Sequence, residues 1–262
     1  MELPTFTIVT PVYNGAATIE EALRSVRDQH YPKLDHVVVD GGSTDGTVEI
    51  LERAEGIRFV SEPDSGRVEA VNKGVGMSSG EVIGFLNADD RYEPGALHAV
   101  GAALATRPEL MWATGYCRII DGGGAEIRRA VTTYKNLFLR HYSFPLHLTQ
   151  NFVSDPATFV RRRTLEEAGP LDERYRISHD YDIWLRIAAR HEPIVLRRYL
   201  SSFRMVEGTL SMAGFERQFA EHEEVARHHG AGHRPAVAVN AVTSRLIVWV
   251  YRALRSWRAR SR

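Results

Sequence analysis

The chain has 262 residues, 44% apolar and 25% charged, which is ample for a large core and ordinary for a globular protein. Thirty-three basic residues balance thirty-three acidic ones, so bulk charge gives no reason to expect a nucleic acid partner. A single cysteine, Cys117, excludes an intramolecular disulfide framework and a cysteine-built metal centre.

Read in chain order, the first hundred residues alternate between short apolar runs and amphipathic segments. Phe6-Thr7-Ile8-Val9 predicts a strand. Thr18 to Gln29 predicts a helix, with Ile19, Ala22, Leu23 and Val26 on one face and Thr18 and Glu21 spaced as a capping box. His36 to Val39 is a strand, Thr44 to Ala54 a helix with Val48 and Leu51 inward, and Ile57 to Val60 a strand. Val68 to Met77 is a helix and Glu81 to Leu86 a strand. β-Branched runs separated by helices of about ten residues indicate a mostly parallel sheet covered on both faces, an α/β fold. The second half is less regular. Leu110 to Ile120 and Arg128 to Thr132 flank Asp121-Gly122-Gly123-Gly124, which resembles a hairpin or loop. Ala157 to Arg161 predicts a strand, Thr164 to Ala168 a short helix, Tyr181 to Arg190 a helix and Ile194 to Tyr199 a last strand. Cys117 lies in an apolar stretch and reads as an inert buried thiol, Trp184 reads as core, and His228-His229 as solvent-exposed neighbours.

In open α/β sheets ligands bind outside the carboxyl ends of the strands. Each of the first four predicted strands ends in a polar cluster: Thr10-Pro11-Val12-Tyr13-Asn14, Asp40-Gly41-Gly42-Ser43-Thr44-Asp45-Gly46, Glu62-Pro63-Asp64-Ser65-Gly66 and Asn87-Ala88-Asp89-Asp90. Any one of these is adequate turn chemistry; four together suggest a nucleotide site. Asp40 can accept from a base N–H of the kind uracil and thymine present, and Tyr13 can stack on a base or ribose. The adjacent acids Asp89 and Asp90 repel unless a hard cation lies between them and a diphosphate.

The motifs PVYN (11–14), VVVDGGSTDGT (37–47), EPDSG (62–66), NKG (72–74), SGEVIGFLNADD (79–90), DPATFVRR (155–162) and HDYDIWLR (179–186) resemble the family 2 glycosyltransferases across roughly residues 4–211. That resemblance implies a GT-A fold, an inverting transfer and a nucleotide-diphosphate sugar donor, UDP- or dTDP-linked. It implies a catalytic domain over 1–211, with a nucleotide-sugar half to about residue 100 and an acceptor half beyond it. It sets Pro11, Tyr13, Asn14, Asp40, Asp64, Asn72, Asn87 and Asp89 against the donor, with Asn87 near the ribose. Asp89, with Asp90, would bind Mn²⁺ or Mg²⁺. Asp180 would deprotonate the acceptor hydroxyl, and Asp182 would orient the site or meet the acceptor. Two departures stand out: Asn87 occupies the first carboxylate position of the usual D-x-D, and Val206 stands where many relatives have a histidine.

Residues 212–262 are expected to form C-terminal helices. After Glu224 the chain carries eight arginines and no acidic residue, so its last 38 residues hold about +8. From Val242 onward Leu246, Trp249, Val250, Ala253 and Trp257 share one helical face, with Arg245, Arg252, Arg255 and Arg262 mostly opposite. A basic amphipathic helix of this kind suits an anionic membrane surface. The sequence opens with no basic-then-apolar leader, and its longest apolar run near the end is 246–251, far short of a span. The expected setting is therefore cytoplasmic, peripheral on the inner membrane face, with a polysaccharide, glycolipid or lipid-linked acceptor. The competing readings are a non-catalytic nucleotide-sugar-binding protein and a nucleotidyltransferase. The latter usually grips a triphosphate with a basic loop after the first strand, and residues 10–17 contain no Lys or Arg. A dinucleotide-binding dehydrogenase would need G-x-G-x-x-G there, which is missing.

Overall fold

A computed structural model of the chain describes residues 2–205 and 214–260, with side chains through Ala253. Val206 and most of the segment around it lie outside the described residues.

Four parallel strands form one side of the sheet: β1 (Phe6–Val12), β2 (Leu34–Asp40), β3 (Arg58–Ser61) and β4 (Val82–Phe85). The crossovers are α1 (Ile19–Arg27), α2 (Thr47–Arg53) and α3 (Arg67–Met77). The remaining strands are β5 (Arg91–Tyr92), β6 (Trp112–Ile120), β7 (Thr158–Arg161) and β8 (Ile194–Arg204). The sheet order is β3-β2-β1-β4-β7-β6-β8-β5. β7 is antiparallel to both β4 and β6, β8 is parallel to β6, and β5 is antiparallel to β8. The chain leaves β1 toward β2 and β3 and then returns to the other side of β1 as β4. That reversal opens a crevice at the carboxyl ends of β1 and β4, where an α/β sheet takes its ligand.

Continuous apolar strands give the sheet two buried faces. Phe6 and Ile8 of β1 face a cluster with Val82, Leu97, Val100, Phe159 and Leu200, the leucines and Val100 partly from α4 (Ala96–Thr106). Val9 faces the opposite cluster with Ile83, Phe85, Trp112, Val160 and Trp184. Trp184 is fully buried, as its spacing suggests, and stacks on Trp112 at 5.9 Å between ring centroids.

Two local expectations give way to tertiary packing. Arg128 to Thr132 is not the second strand of a hairpin; Arg129–Arg140 is a helix, α5. Its β-branched Val131, Thr132 and Thr133 read locally as strand, but Thr132, Asn136 and Leu139 bury one helical face, and packing overrides the local preference. Thr18 precedes α1 without a side-chain cap. Glu21 is drawn away instead by two cations, pairing with Arg91 at 2.7 Å and with Arg204.

After a short helix, α6 (Phe144–Thr149), a 3-10 turn at Asp155–Ala157 leads into β7. α7 (Arg162–Ala168) and α8 (His179–Ala188) follow, and α9 (Phe215–His229) and α10 (Arg234–Arg260) close the chain. Tyr181 and Leu185 of α8 pack with Leu148, Val225 and Ala226, so the C-terminal helices are built onto the domain.

Candidate active site

The first two strand-end loops are laced together. Asn14 adopts a left-handed conformation (φ 50°), one that Asn tolerates better than most residues. Its N–H donates to Ser43 Oγ (2.7 Å), and its Oδ1 accepts from the Thr44 N–H (2.9 Å). Gly15 and Ala16 donate to Thr47 Oγ1 and Asp45 Oδ2. Pro11 lies inside β1 in register with Val39, and Tyr13 projects into solvent at the rim, 66% exposed.

Asp40 is fully buried, and four donors fill it. Oδ2 accepts from the N–H groups of Gly42 and Ser43 (both 3.0 Å) and from Ser61 Oγ (2.7 Å); Oδ1 accepts from Ser43 Oγ (2.5 Å). Those bonds offset the cost of burying a carboxylate, so here Asp40 organises the loop. The open acceptor beside it belongs to Asp64. Its Oδ1 takes the Gly66 N–H (2.8 Å), while Oδ2 is buried with no partner among the described residues. Gly41 is required for this approach, since a Cβ there would sit 2.9 Å from Asp64 Oδ2. Asn72 does not join the cleft. Both ends of its amide bond the backbone of Leu171, at 3.0 and 2.8 Å.

At the end of β4 the two adjacent acids part ways. Asp90 is 1% exposed; Oδ1 accepts from the Arg204 N–H and Oδ2 from Asn87 Nδ2, both at 2.9 Å. It ties the β4 loop to β8. Burial, reinforced by the charge of Asp89, drives its pKa well above the carboxylate range. Asp90 is therefore not a free metal donor. Asp89 keeps some exposure, and its own backbone N–H is the hydrogen-bond donor turned toward its carboxylate among the described residues. Burial raises its pKa, with Arg67 and Arg204 opposing. An underused carboxylate is a suitable ligand for a hard cation whose other ligands are phosphate and water, as Mg²⁺ commonly is. No cluster of three or more His, Cys, Asp or Glu exists among the described residues.

The strand ends meet the second half of the chain at Arg67, the first residue of α3. Its Nε donates to Asn87 Oδ1 (2.7 Å), Nη2 to Asp155 Oδ2 (2.5 Å), and Nη1 contacts His179 Nε2. One guanidinium thus spans the β4 loop, the turn before β7 and the start of α8. His179 is buried beside this cation, and both facts hold its imidazole neutral.

Asp180 follows on the first turn of α8. Its Oδ1 accepts from the Tyr181 N–H (2.7 Å) and its Oδ2 from Asn151 Nδ2 (3.2 Å). Burial, then the charge of Asp155, raises its pKa to about 6. Lys135 of α5 lies close enough for its charge to couple to Asp180, and its Nζ reaches Ser154 Oγ at 3.5 Å. The start of α8 is held from behind: Glu221 of α9 accepts from the N–H groups of Ile177 and Ser178, both at 2.9 Å. Asp182 points the other way, pairing with Arg186 and with His229 Nε2, each at 2.8 Å. The structure thus gives Asp182 a role joining α8 to the tail, away from the cleft, and only His228 of the histidine pair is exposed. Cys117 is buried, its thiol pKa pushed up to about 11, and inert as expected.

Arg67, Asn151, Lys135 and Glu221 escape a motif-based reading, since each earns its place through partners 20 to 112 residues away or through charge alone. Arg67 offered the one available signal, standing directly after the Asp64-Ser65-Gly66 turn.

The family model described as "Glycosyl transferase family 2" matches residues 7–169, more than half of the chain. This chain belongs to that family. An uncharacterized glycosyltransferase of Mycobacterium tuberculosis is 29% identical over 206 residues, 76% of this chain and 75% of that protein. A PGL/p-HBAD biosynthesis glycosyltransferase of Mycobacterium bovis is 29% identical over 211 residues, with the same coverage. Among solved structures, S. aureus TarS 1-349 in complex with UDP-GlcNAc matches with a TM-score of 0.66 at 18% identity, covering 86% of this chain and 66% of that one. The mannosyltransferase PcManGT from Pyrobaculum calidifontis, in complex with GDP-Man and Mn²⁺, matches at 0.67 and 20% identity, covering 98% and 84%. The fold of this family 2 glycosyltransferase is therefore of the GT-A type, with C-terminal helices added.

Proposed function

We propose that this glycosyltransferase moves a sugar, with inversion, from a UDP- or dTDP-linked donor to a hydroxyl of a polysaccharide, glycolipid or lipid-linked acceptor. The observation that carries the reading is Arg67, which ties the donor-side Asn87-Ala88-Asp89 loop to the helix start bearing Asp180. A diphosphate-side acid and a separate base are thereby held in one cleft, as a single displacement needs.

Asp180 acts as general base. A carboxylate with a pKa of about 6 is ionised at neutral pH and more basic than an ordinary Asp, so it suits a hydroxyl proton. The hydroxyl oxygen attacks the anomeric carbon as the bond to the diphosphate oxygen breaks on the opposite side. The proton passes to Asp180, and the nucleoside diphosphate departs. Asp89 is the residue to hold a divalent ion, which when bound neutralises charge on the departing diphosphate. Asp64 Oδ2 is the acceptor for a base or ribose donor, and Tyr13 is placed for stacking at the rim.

Release of nucleoside diphosphate from a panel of labelled sugar donors, with and without Mn²⁺, tests this directly. Turnover of a uracil or thymine donor supports the assignment. Tight donor binding without turnover under any acceptor condition would instead make the chain a nucleotide-sugar-binding protein.

A further inference from the structure

The C-terminal helix buries two polar residues and leaves an apolar stripe outside. The residues of α10 that face the domain include Asn240 and Ser244, 1% and 5% exposed, and Asn240 Nδ2 bonds Leu148 O and Tyr181 Oη. Its apolar residues point outward: Val242, Leu246 and Trp249 are 66%, 55% and 67% exposed, with Val239 and Val250 beside them. On a 3.6-residue helix these five fall within an arc of about 100°, opposite Asn240 and Ser244. A helix that only packed on a water-soluble domain would turn this stripe inward.

The arginines flank the stripe and hold the helix in that orientation. Arg245 forks onto Glu223 and Arg252 onto Glu216, both acids on α9. Arg128, just before α5, donates to Tyr251 Oη (2.9 Å), which lies on the Asn240 side of the helix, away from the stripe.

We propose that this apolar ridge of α10 docks the enzyme on an anionic lipid bilayer. Two observations select that occupant. The segment after Glu224 carries eight arginines and no acid; Arg227, Arg245 and Arg252 pair with Glu223 and Glu216 of α9, and the arginine-rich end, with four more between 255 and 262, complements an anionic headgroup layer and opposes pairing with a second copy of the same helix. The ridge also combines aliphatic residues with Trp249, an aromatic type favoured at a membrane interface. The apolar stripe enters the headgroup boundary while the ion pairs to α9 fix its angle.

Sedimentation of the full chain with phosphatidylcholine vesicles, with and without phosphatidylglycerol, tests the surface. The wild type is expected to sediment, more so with the anionic lipid, and Val242→Glu/Leu246→Glu/Trp249→Glu to bind at least about tenfold less with an unchanged melting midpoint. Val131→Glu/Leu137→Glu, on α5 and away from the ridge, is the control and should bind as the wild type does. A wild type that stays in the supernatant, or a triple variant that sediments equally, overturns the proposal. So does a wild-type dimer in light scattering that the triple variant converts to monomer without any vesicle binding, which would make the ridge a self-interface. Nucleoside diphosphate release into water-soluble acceptor, run on the same samples, should be unchanged in the variants. Failure of that assay in the wild type rejects the transfer reading and leaves the vesicle result standing.

Discussion

Replacing Asp180 by Asn should remove activity and make the protein more stable. The carboxyl titrates near 3.8 ordinarily and near 6 in the fold, so the folded state binds this proton more tightly than the unfolded chain does. The stability linked to that proton is fully present below about pH 3.8 and is lost as pH rises through about 6. At 1.36 kcal/mol for each tenfold in proton affinity, the full rise corresponds to about 3 kcal/mol. Asp180 retains partial solvent contact, so a gain of about 1 to 3 kcal/mol is expected for Asn at pH 7.5. The amide fits the site. Its Oδ1 can keep the Tyr181 N–H, and its NH₂ can donate to Asn151 Oδ1 once the Asn151 amide turns over. For a chain of this size each kcal/mol raises Tm by about 2 to 4 °C. Thermal melts of the two proteins at pH 7.5 and pH 4 are the assay. The gap should open at pH 7.5 and close toward pH 4, while sugar transfer falls by roughly 10²- to 10⁴-fold with donor affinity within a few-fold. A gap of equal size at both pH values, or no gain at pH 7.5, would refute the raised pKa; near-normal turnover would reject Asp180 as base.

The acid limb of kcat/KM should fall with a midpoint near pH 6, because the base must be ionised; a profile flat down to pH 4.5 contradicts the assignment. Asp89→Ala should weaken donor binding in Mn²⁺ by roughly tenfold or more, with little change in its absence, as read by calorimetry. Equal loss in both conditions would point to a direct donor contact. Arg67→Lys keeps a charge but cannot reach Asn87, Asp155 and His179 together, so kcat should drop by roughly 10²-fold with a smaller change in KM. Asp182→Asn breaks the ion pair to Arg186 and weakens the hydrogen bond to His229, and should lower Tm by a few degrees while transfer survives; a loss as deep as that of Asp180→Asn would return Asp182 to the cleft.

Local pattern alone determined the strand and helix rhythm of the first hundred residues, the cleft at the strand ends and the family to which they belong. Continuous β-branched runs and loops rich in Asp, Gly and Asn are properties of neighbouring residues, and a sequence displays neighbours. It also identified Trp184 as core and Cys117 as buried. What each carboxylate does was decided elsewhere. Asp40, Asp90 and Asp182 look as available as Asp64, Asp89 and Asp180 in the chain, yet donors from Ser61, Arg204 and His229 fill the first three. Those donors come from 21, 114 and 47 residues away. Tertiary packing likewise turned 128–132 from an expected hairpin or loop into the start of α5, and set the tail helix with an apolar stripe outward. A lone pair's partner and a helix's orientation depend on which distant surfaces meet, and folding alone brings those surfaces together.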